Sequence, residues 1–124
     1  MCDEESKVIR NEYIDYLLAK PCCEDSFPFG PEAHVFKVFN KMFALIGYRN
    51  EQLSITLKAA PEDVTFLTEE FTSIERGYHM NKKHWITITP SSDITVSMIE
   101  AWIDDSYSLV TSKLTKLEKS QIKK

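Results

Sequence analysis

The alternation of apolar and polar positions divides the chain into helical and extended stretches. From Lys7 to Lys20, Ile9, Tyr13, Tyr16 and Leu17 recur at helical spacing, with Arg10, Glu12 and Asp15 on other faces. Pro21 has no backbone N–H to continue that helix and stops it. Ala33 to Phe39 and Met42 to Ile46 are short apolar runs around Asn40-Lys41, the signature of a β-hairpin. After the turn-like Gly47-Tyr48-Arg49-Asn50, Gln52 to Lys58 alternates cleanly: Leu53, Ile55 and Leu57 point inward, and Ser54, Thr56 and Lys58 point outward. One face of the sheet is therefore expected to meet the core, leaving the other to water or a ligand.

Pro61 suits a first helical turn, and Glu62 and Asp63 suit its electropositive end, so Pro61 to about Glu70 is predicted helical, burying Val64, Leu67 and Phe71. Ile74 to Tyr78 is a candidate short strand, and Trp85 to Thr89 alternates with β-branched residues as a further strand. Pro90-Ser91-Ser92-Asp93 breaks it. Thr95 or Ser97 then caps a long final helix, Ser97-Met98-Ile99-Glu100 matching a capping box, with Ile99, Trp102, Ile103, Val110, Leu114 and Leu117 as its apolar stripe. The two prolines and the glycine of Glu24 to Pro31 predict an irregular loop, its phenylalanines lying over the core or lining a groove. The order is α-β-β-β-α-(β)-β-α. Tight turns between strands imply an antiparallel sheet, and the helices form a second layer on one face: a two-layer α+β fold.

A length of 124 residues fits one domain spanning 1–124, with about 1–6 and 116–124 expected as flexible ends. No apolar run approaches the roughly 20 residues of a membrane span, and the acidic start lacks the basic and apolar regions of a signal peptide. With an odd count of three cysteines, this points to a cytoplasmic protein. Cys22 and Cys23 are adjacent, without the spacer of a redox or zinc pair, and are read as inert thiols. A monomer is expected.

The net charge of −4 argues against a general attraction to nucleic acid or anionic membrane. The charge is nonetheless uneven. Tyr107 to Lys124 holds five lysines and one acid, so a basic tail follows an acidic body.

Polar chemistry concentrates in Gly77 to Thr89, which feeds the Trp85 strand. His79 and His84 are five apart across a turn, without the third strong ligand that zinc needs and without an HExxH or CxxC motif, so no metal is expected. Either histidine could act as a general base, but no nucleophile elbow or cysteine signature accompanies them. The three glycines form no phosphate loop. No catalytic residue and no cofactor are therefore assigned. Lys82 and Lys83 at a hairpin tip, with Arg76, His79 and His84 beside them, could meet phosphates, and Asn81 a base edge or sugar. Two lysines would contribute only a modest salt-dependent affinity.

Four blocks stand out in order along the chain: Phe27-Pro28-Phe29-Gly30-Pro31, Val35 to Val38 with Lys41 to Leu45, Gly77-Tyr78-His79-Met80-Asn81-Lys82-Lys83-His84-Trp85, and Ile103 to Val110. In these blocks the chain resembles the MmcQ/YjbR family of small bacterial proteins. The resemblance runs in order from about residue 8 to 115. It implies a two-layer α+β fold compared with frataxin-like and secretion-chaperone-like proteins, and DNA binding through a double-wing motif. The motif positions are Phe29, Gly30, Lys37, Tyr78, His79, Asn81, Lys82, His84 and Trp85.

Three functions stay open at this point. The leading expectation is a non-enzymatic binding protein that contacts DNA through Gly77 to Trp85. The alternative is a module for a small anionic molecule or a peptide, with a groove walled by Phe29, Tyr78 and Trp85 and donors from Lys37, Lys82, His79 and Asn81. The third is an enzyme using His79 or His84 as base.

Overall fold

The computed structural model describes residues 4–49, 52–77, 81–91 and 94–122. In order, these form helix α1 (Glu4–Leu18), strands β1 (Cys23–Ser26), β2 (His34–Val38), β3 (Lys41–Arg49) and β4 (Gln52–Lys58), helix α2 (Pro61–Glu70), strands β5 (Ile74–Arg76) and β6 (Trp85–Ile88), and helices α3 (Val96–Thr111) and α4 (Lys116–Ile122). The six strands make one antiparallel sheet in the order β1-β2-β3-β4-β6-β5. Helices pack against it, so the fold is α+β. Ile55, Leu57, Ile86 and Ile88 of the central strands form the core with Val64 and Leu67 of α2 and Ile99, Ile103 and Val110 of α3, while α1 adds Tyr13 and Leu17.

The register explains how the site is held. β2 and β3 join through Phe39 and Asn40, both at positive φ (49° and 65°), the geometry of a two-residue hairpin turn. A bulge between Phe36 and Lys37 then shifts the pairing, so that Phe36 faces Ala44 and Lys37 faces Met42. The β3–β4 ladder runs from Arg49↔Gln52 to Ala44↔Leu57. At its far end, the buried Ser106 hydroxyl of α3 donates to the Phe43 carbonyl (2.6 Å) and accepts from the Lys58 N–H (2.9 Å). A helix side chain thus completes the ladder and fixes α3 on the sheet.

Four differences from the sequence reading have physical causes. Cys23 to Ser26 form an edge strand against β2 where a loop was expected, because the prolines begin only at residue 28 and a mostly exposed edge tolerates polar residues. Gly47 to Arg49 continue β3, and residues 50–51 of the expected turn lie outside the described residues. Of the two caps expected for α3, Thr95 is the one used: its Oγ1 accepts from the Met98 N–H (3.1 Å).

The final helix also divides. Thr115 and Glu118 form a second capping box, with the Glu118 N–H donating to Thr115 Oγ1 and the Thr115 N–H to Glu118 Oε1. The new start shifts the helical phase, so Leu114 is buried while Leu117, expected in the stripe, is 70% exposed. The outward face of the sheet is likewise drier than its alternation suggested. Ser54, Thr56 and Thr87 are buried, with the Thr56 and Thr87 hydroxyls bonded at 3.1 Å.

Candidate functional site

β5 and β6 close the candidate hairpin through the Gly77 N–H, which donates to the Trp85 carbonyl (2.7 Å). Asn81 organises its turn: the Asn81 side-chain oxygen accepts from the Lys83 N–H (2.9 Å), an Asx turn, and its carbonyl accepts from the His84 N–H (3.2 Å). One of the two side-chain polar atoms that Asn81 would offer a base or sugar is thus engaged by the turn itself. Lys82 Nζ reaches the Gly77 carbonyl (3.4 Å), while the Arg76 guanidinium reaches the Lys82 carbonyl (3.3 Å) and Thr65 Oγ1 (3.4 Å). Two of the cations read as phosphate contacts therefore also brace the hairpin. Arg76, Lys82, Lys83 and His84 are all exposed. Tyr78 and His79 lie outside the described residues.

The structure separates the other candidates. Phe29 and Gly30 sit in the loop that precedes His34, and Phe29 is 74% exposed. The row His34–Ile46–Ile55–Ile88 crosses the sheet. Trp85, paired with Lys58, lies on the other side of that row from the loop. β1 and β6 are also four strand spacings apart, about 19 Å. No common groove can join Phe29 to Trp85, which corrects the grouping made from the sequence. Lys37 lies toward Trp85's end but three strand spacings away, about 14 Å. Of the walls of the expected groove, Phe29 and Trp85 stand at two ends of the sheet.

A different groove opens at the end of β4. Lys58 Nζ stands 6.0 Å from the Trp85 ring centroid, within reach of a cation–π contact. Lys58 and Ala59 also lead β4 into α2, where they line a groove of about 200 Å³ between α2 and α3. Its apolar lining comes from Ile86, Phe66, Leu67, Trp102 and Leu109, and its charged groups are Lys58, Asp63 and Asp105. Trp102 is held edge-on to Phe71, with ring centroids 5.8 Å apart. Asp63, Asp105 and Leu109 also line a continuation of the groove along α3 past Ser108 and Ser112. Sequence reasoning missed Lys58, Asp63, Phe66, Trp102 and Asp105 as site residues. The signal was Phe66 and Trp102, two large apolar residues at the exposed margins of helices that also carry acids.

Two further clusters hold the frame. Tyr16 of α1 donates to Asp104 of α3 (2.8 and 3.0 Å), and Lys20 pairs with the same carboxylate. The hydrogen bond to Asp104, with burial, pushes the Tyr16 phenol up to about 12. The Tyr107 hydroxyl donates to the Pro21 carbonyl, tying α3 to the α1–β1 connection. Burial, then the Asp25 and Glu24 carboxylates, push the Cys23 thiol up to about 11.

Among the described residues, His34 is the histidine paired with an acid. Its Nε2 is 2.6 Å from Asp25 Oδ2. The ring is 6% exposed and sandwiched between Phe27 and Phe36, with centroids at 4.3 and 4.4 Å. Nδ1 is buried with no hydrogen-bond partner among the described residues. Both ring faces are covered, so the pair anchors the loop rather than meeting a substrate. Among the described residues, no three His, Cys, Asp or Glu side chains group as metal ligands, and no helix is long and apolar enough to cross a membrane.

A family model described as YjbR matches residues 18–109. The protein YbdF of Escherichia coli O157:H7 is 37% identical over 106 residues, covering 86% of this chain and 87% of its own. The protein YjbR of Escherichia coli K12 is 29% identical over 97 residues, covering 78% and 82%. Among solved structures, Deinococcus radiodurans protein DR2400, with a DUF419 domain, superposes with a TM-score of 0.82 at 34% identity, over 91% of this chain and 86% of that one. A protein from Pseudomonas syringae gives 0.69 at 31% identity, over 81% and 97%. None of these relatives brings a named ligand or activity with it.

Proposed function

The chain belongs to the YjbR family, and on that footing we propose that it is a non-enzymatic cytoplasmic binding protein whose ligand enters the groove between α2 and α3. The observation that carries this is the convergence of Lys58, Asp63 and Asp105 around an apolar lining of Phe66, Leu67, Trp102 and Leu109. Apolar walls with a few charged groups are what a binding site needs to hold and orient a ligand. At about 200 Å³ the groove is smaller than the ~300–1,000 Å³ typical of drug-sized ligands, which suits the side chains of a peptide or a small fragment. The His34–Asp25 pair is closed in between two rings, and His84 stands exposed on a turn, which favours binding over catalysis.

The test is a screen of short peptides and small charged molecules by ¹H–¹⁵N NMR on the whole chain. Shifts centred on Lys58, Leu67, Trp102 and Asp105 are expected. Ligands that instead move only the Phe29–Gly30 loop would contradict the proposal.

A second reading, duplex DNA at the Gly77–Trp85 hairpin, is favoured by the exposure of Arg76, Lys82, Lys83 and His84 around one turn. Anisotropy of labelled DNA at low and near-physiological salt, with wild type and Lys82→Ala/Lys83→Ala, tests it. Binding that weakens with salt and weakens further in the variant supports DNA. No binding even at low salt removes it.

A further inference from the structure

The two helices that wall the groove carry charge of one sign. α2 holds Glu62, Asp63, Glu69 and Glu70, and α3 holds Glu100, Asp104 and Asp105; neither contains a lysine, arginine or histidine. Asp104 is neutralised by Lys20. Asp63 and Asp105 line both successive stretches of the groove, with Leu109 common to both. Phe66 is 59% exposed on one wall.

We infer that this groove receives a basic amphipathic helix of a partner protein, an inference that rests on the groove being the binding site. Three features select that occupant. First, both walls are helices, whose backbone N–H and C=O groups are bonded internally. They offer no strand edge to an extended peptide, so the guest must satisfy its own backbone, as a helix does.

Second, the groove follows α3 from Trp102 to Ser112, about 15 Å or roughly three turns. Apolar anchors at i, i+3 or i+4, and i+7 of a docked helix span about 10.5 Å, roughly two turns, and fit within that length. Third, the Asp63 and Asp105 carboxylates would meet lysines or arginines flanking those anchors, whereas nucleic-acid phosphates or an acidic helix would meet like charge on both walls. The apolar lining supplies affinity and the carboxylates choose the partner's sign.

The experiment uses the full chain and a synthetic peptide of leucine and lysine, about 14 residues or roughly four turns, with leucines at the i, i+3, i+4, i+7 positions. The control replaces each lysine by glutamate. The leucine–lysine peptide is expected to bind saturably, to shift the amides of Leu67, Trp102, Asp105 and Leu109, and to bind at least about tenfold more tightly than the control. Asp63→Lys/Asp105→Lys is expected to reverse that preference, and Asp63→Asn/Asp105→Asn to abolish it. Amide spectra of each variant verify its fold.

Equal binding of both peptides, or a preference that survives charge reversal, would overturn the inference. So would sedimentation showing the free chain as a dimer whose contact covers Phe66 and Trp102, since the occupant would then be a second copy. If neither peptide binds while small molecules still shift the groove amides, the inference fails and the groove remains the binding site. If nothing shifts them, both fail.

Discussion

The Ser106 hydroxyl donates to the Phe43 carbonyl at 2.6 Å, bridging the place where the bulged β3 strand would otherwise leave its ladder with β4 unfinished. Because the same oxygen accepts from the Lys58 N–H, one buried side chain sets the position of α3 against the strand end that carries Lys58. The groove between α2 and α3 depends on that placement.

Replacing Ser106 by alanine leaves a buried carbonyl and an N–H without their partner. A buried polar group left unsatisfied costs about 1–3 kcal/mol, so Ser106→Ala is expected to lower the urea-unfolding free energy by about that much. Unchanged stability would mean that the hydroxyl is not an essential tie.

The α1–α3 contact makes an alkaline prediction. The Tyr16 phenol donates to Asp104, which, with burial, raises the phenol from its ordinary 10.0 to about 12. Between those values the folded chain keeps a proton that the unfolded chain has released. The contribution is therefore complete below pH 10, declines as pH rises, and is lost above about 12. Tyr16→Phe should show a shallower loss of stability across that window in denaturant titrations. Some decline should remain, because Tyr13 and Tyr107 are also raised, chiefly by burial.

The adjacent cysteines should react unequally. Cys22 is exposed, whereas burial and the neighbouring Asp25 and Glu24 push the Cys23 thiol up to about 11. Since the thiolate is the nucleophile, iodoacetamide at pH near 8 should label Cys22 first, with Cys23 lagging by about tenfold or more. Peptide mass mapping over time reads this directly; equal rates would contradict the half-buried placement of Cys23.

The two loop phenylalanines, alike in sequence, should differ in consequence. Phe27 stacks on buried His34 at 4.3 Å, while Phe29 is 74% exposed. Phe27→Ala is expected to cost about 1–2 kcal/mol in lost area and stacking, and Phe29→Ala to stay within about 0.5 kcal/mol. Paired denaturation curves decide it.

Periodicity carried most of the architecture. β2, the body of β3, β4, α2 and β6 follow from alternation and from Pro61 because their core faces are dictated by local spacing. Edge strand β1 escaped because a mostly exposed edge needs no apolar pattern. The division of α3 from α4 was written in Thr115 and Glu118, but an unbroken apolar stripe hid it. The site was less legible. Its familiar block, Gly77 to Trp85, includes residues that brace their own turn, as Asn81 and Lys82 do. The groove unites Lys58, Asp63, Trp102 and Asp105 from three elements far apart in sequence, and only tertiary packing brings such residues together.

The most direct test of the groove as the binding site uses the two tryptophans of the chain, Trp85 and Trp102. In Trp85→Phe, Trp102 alone reports, and it lines the groove. Titration of this variant with the leucine–lysine peptide is expected to give a saturable shift in tryptophan emission, lost when Phe66→Asp is added. Emission that stays constant while the peptide demonstrably binds would place the ligand elsewhere and contradict the account.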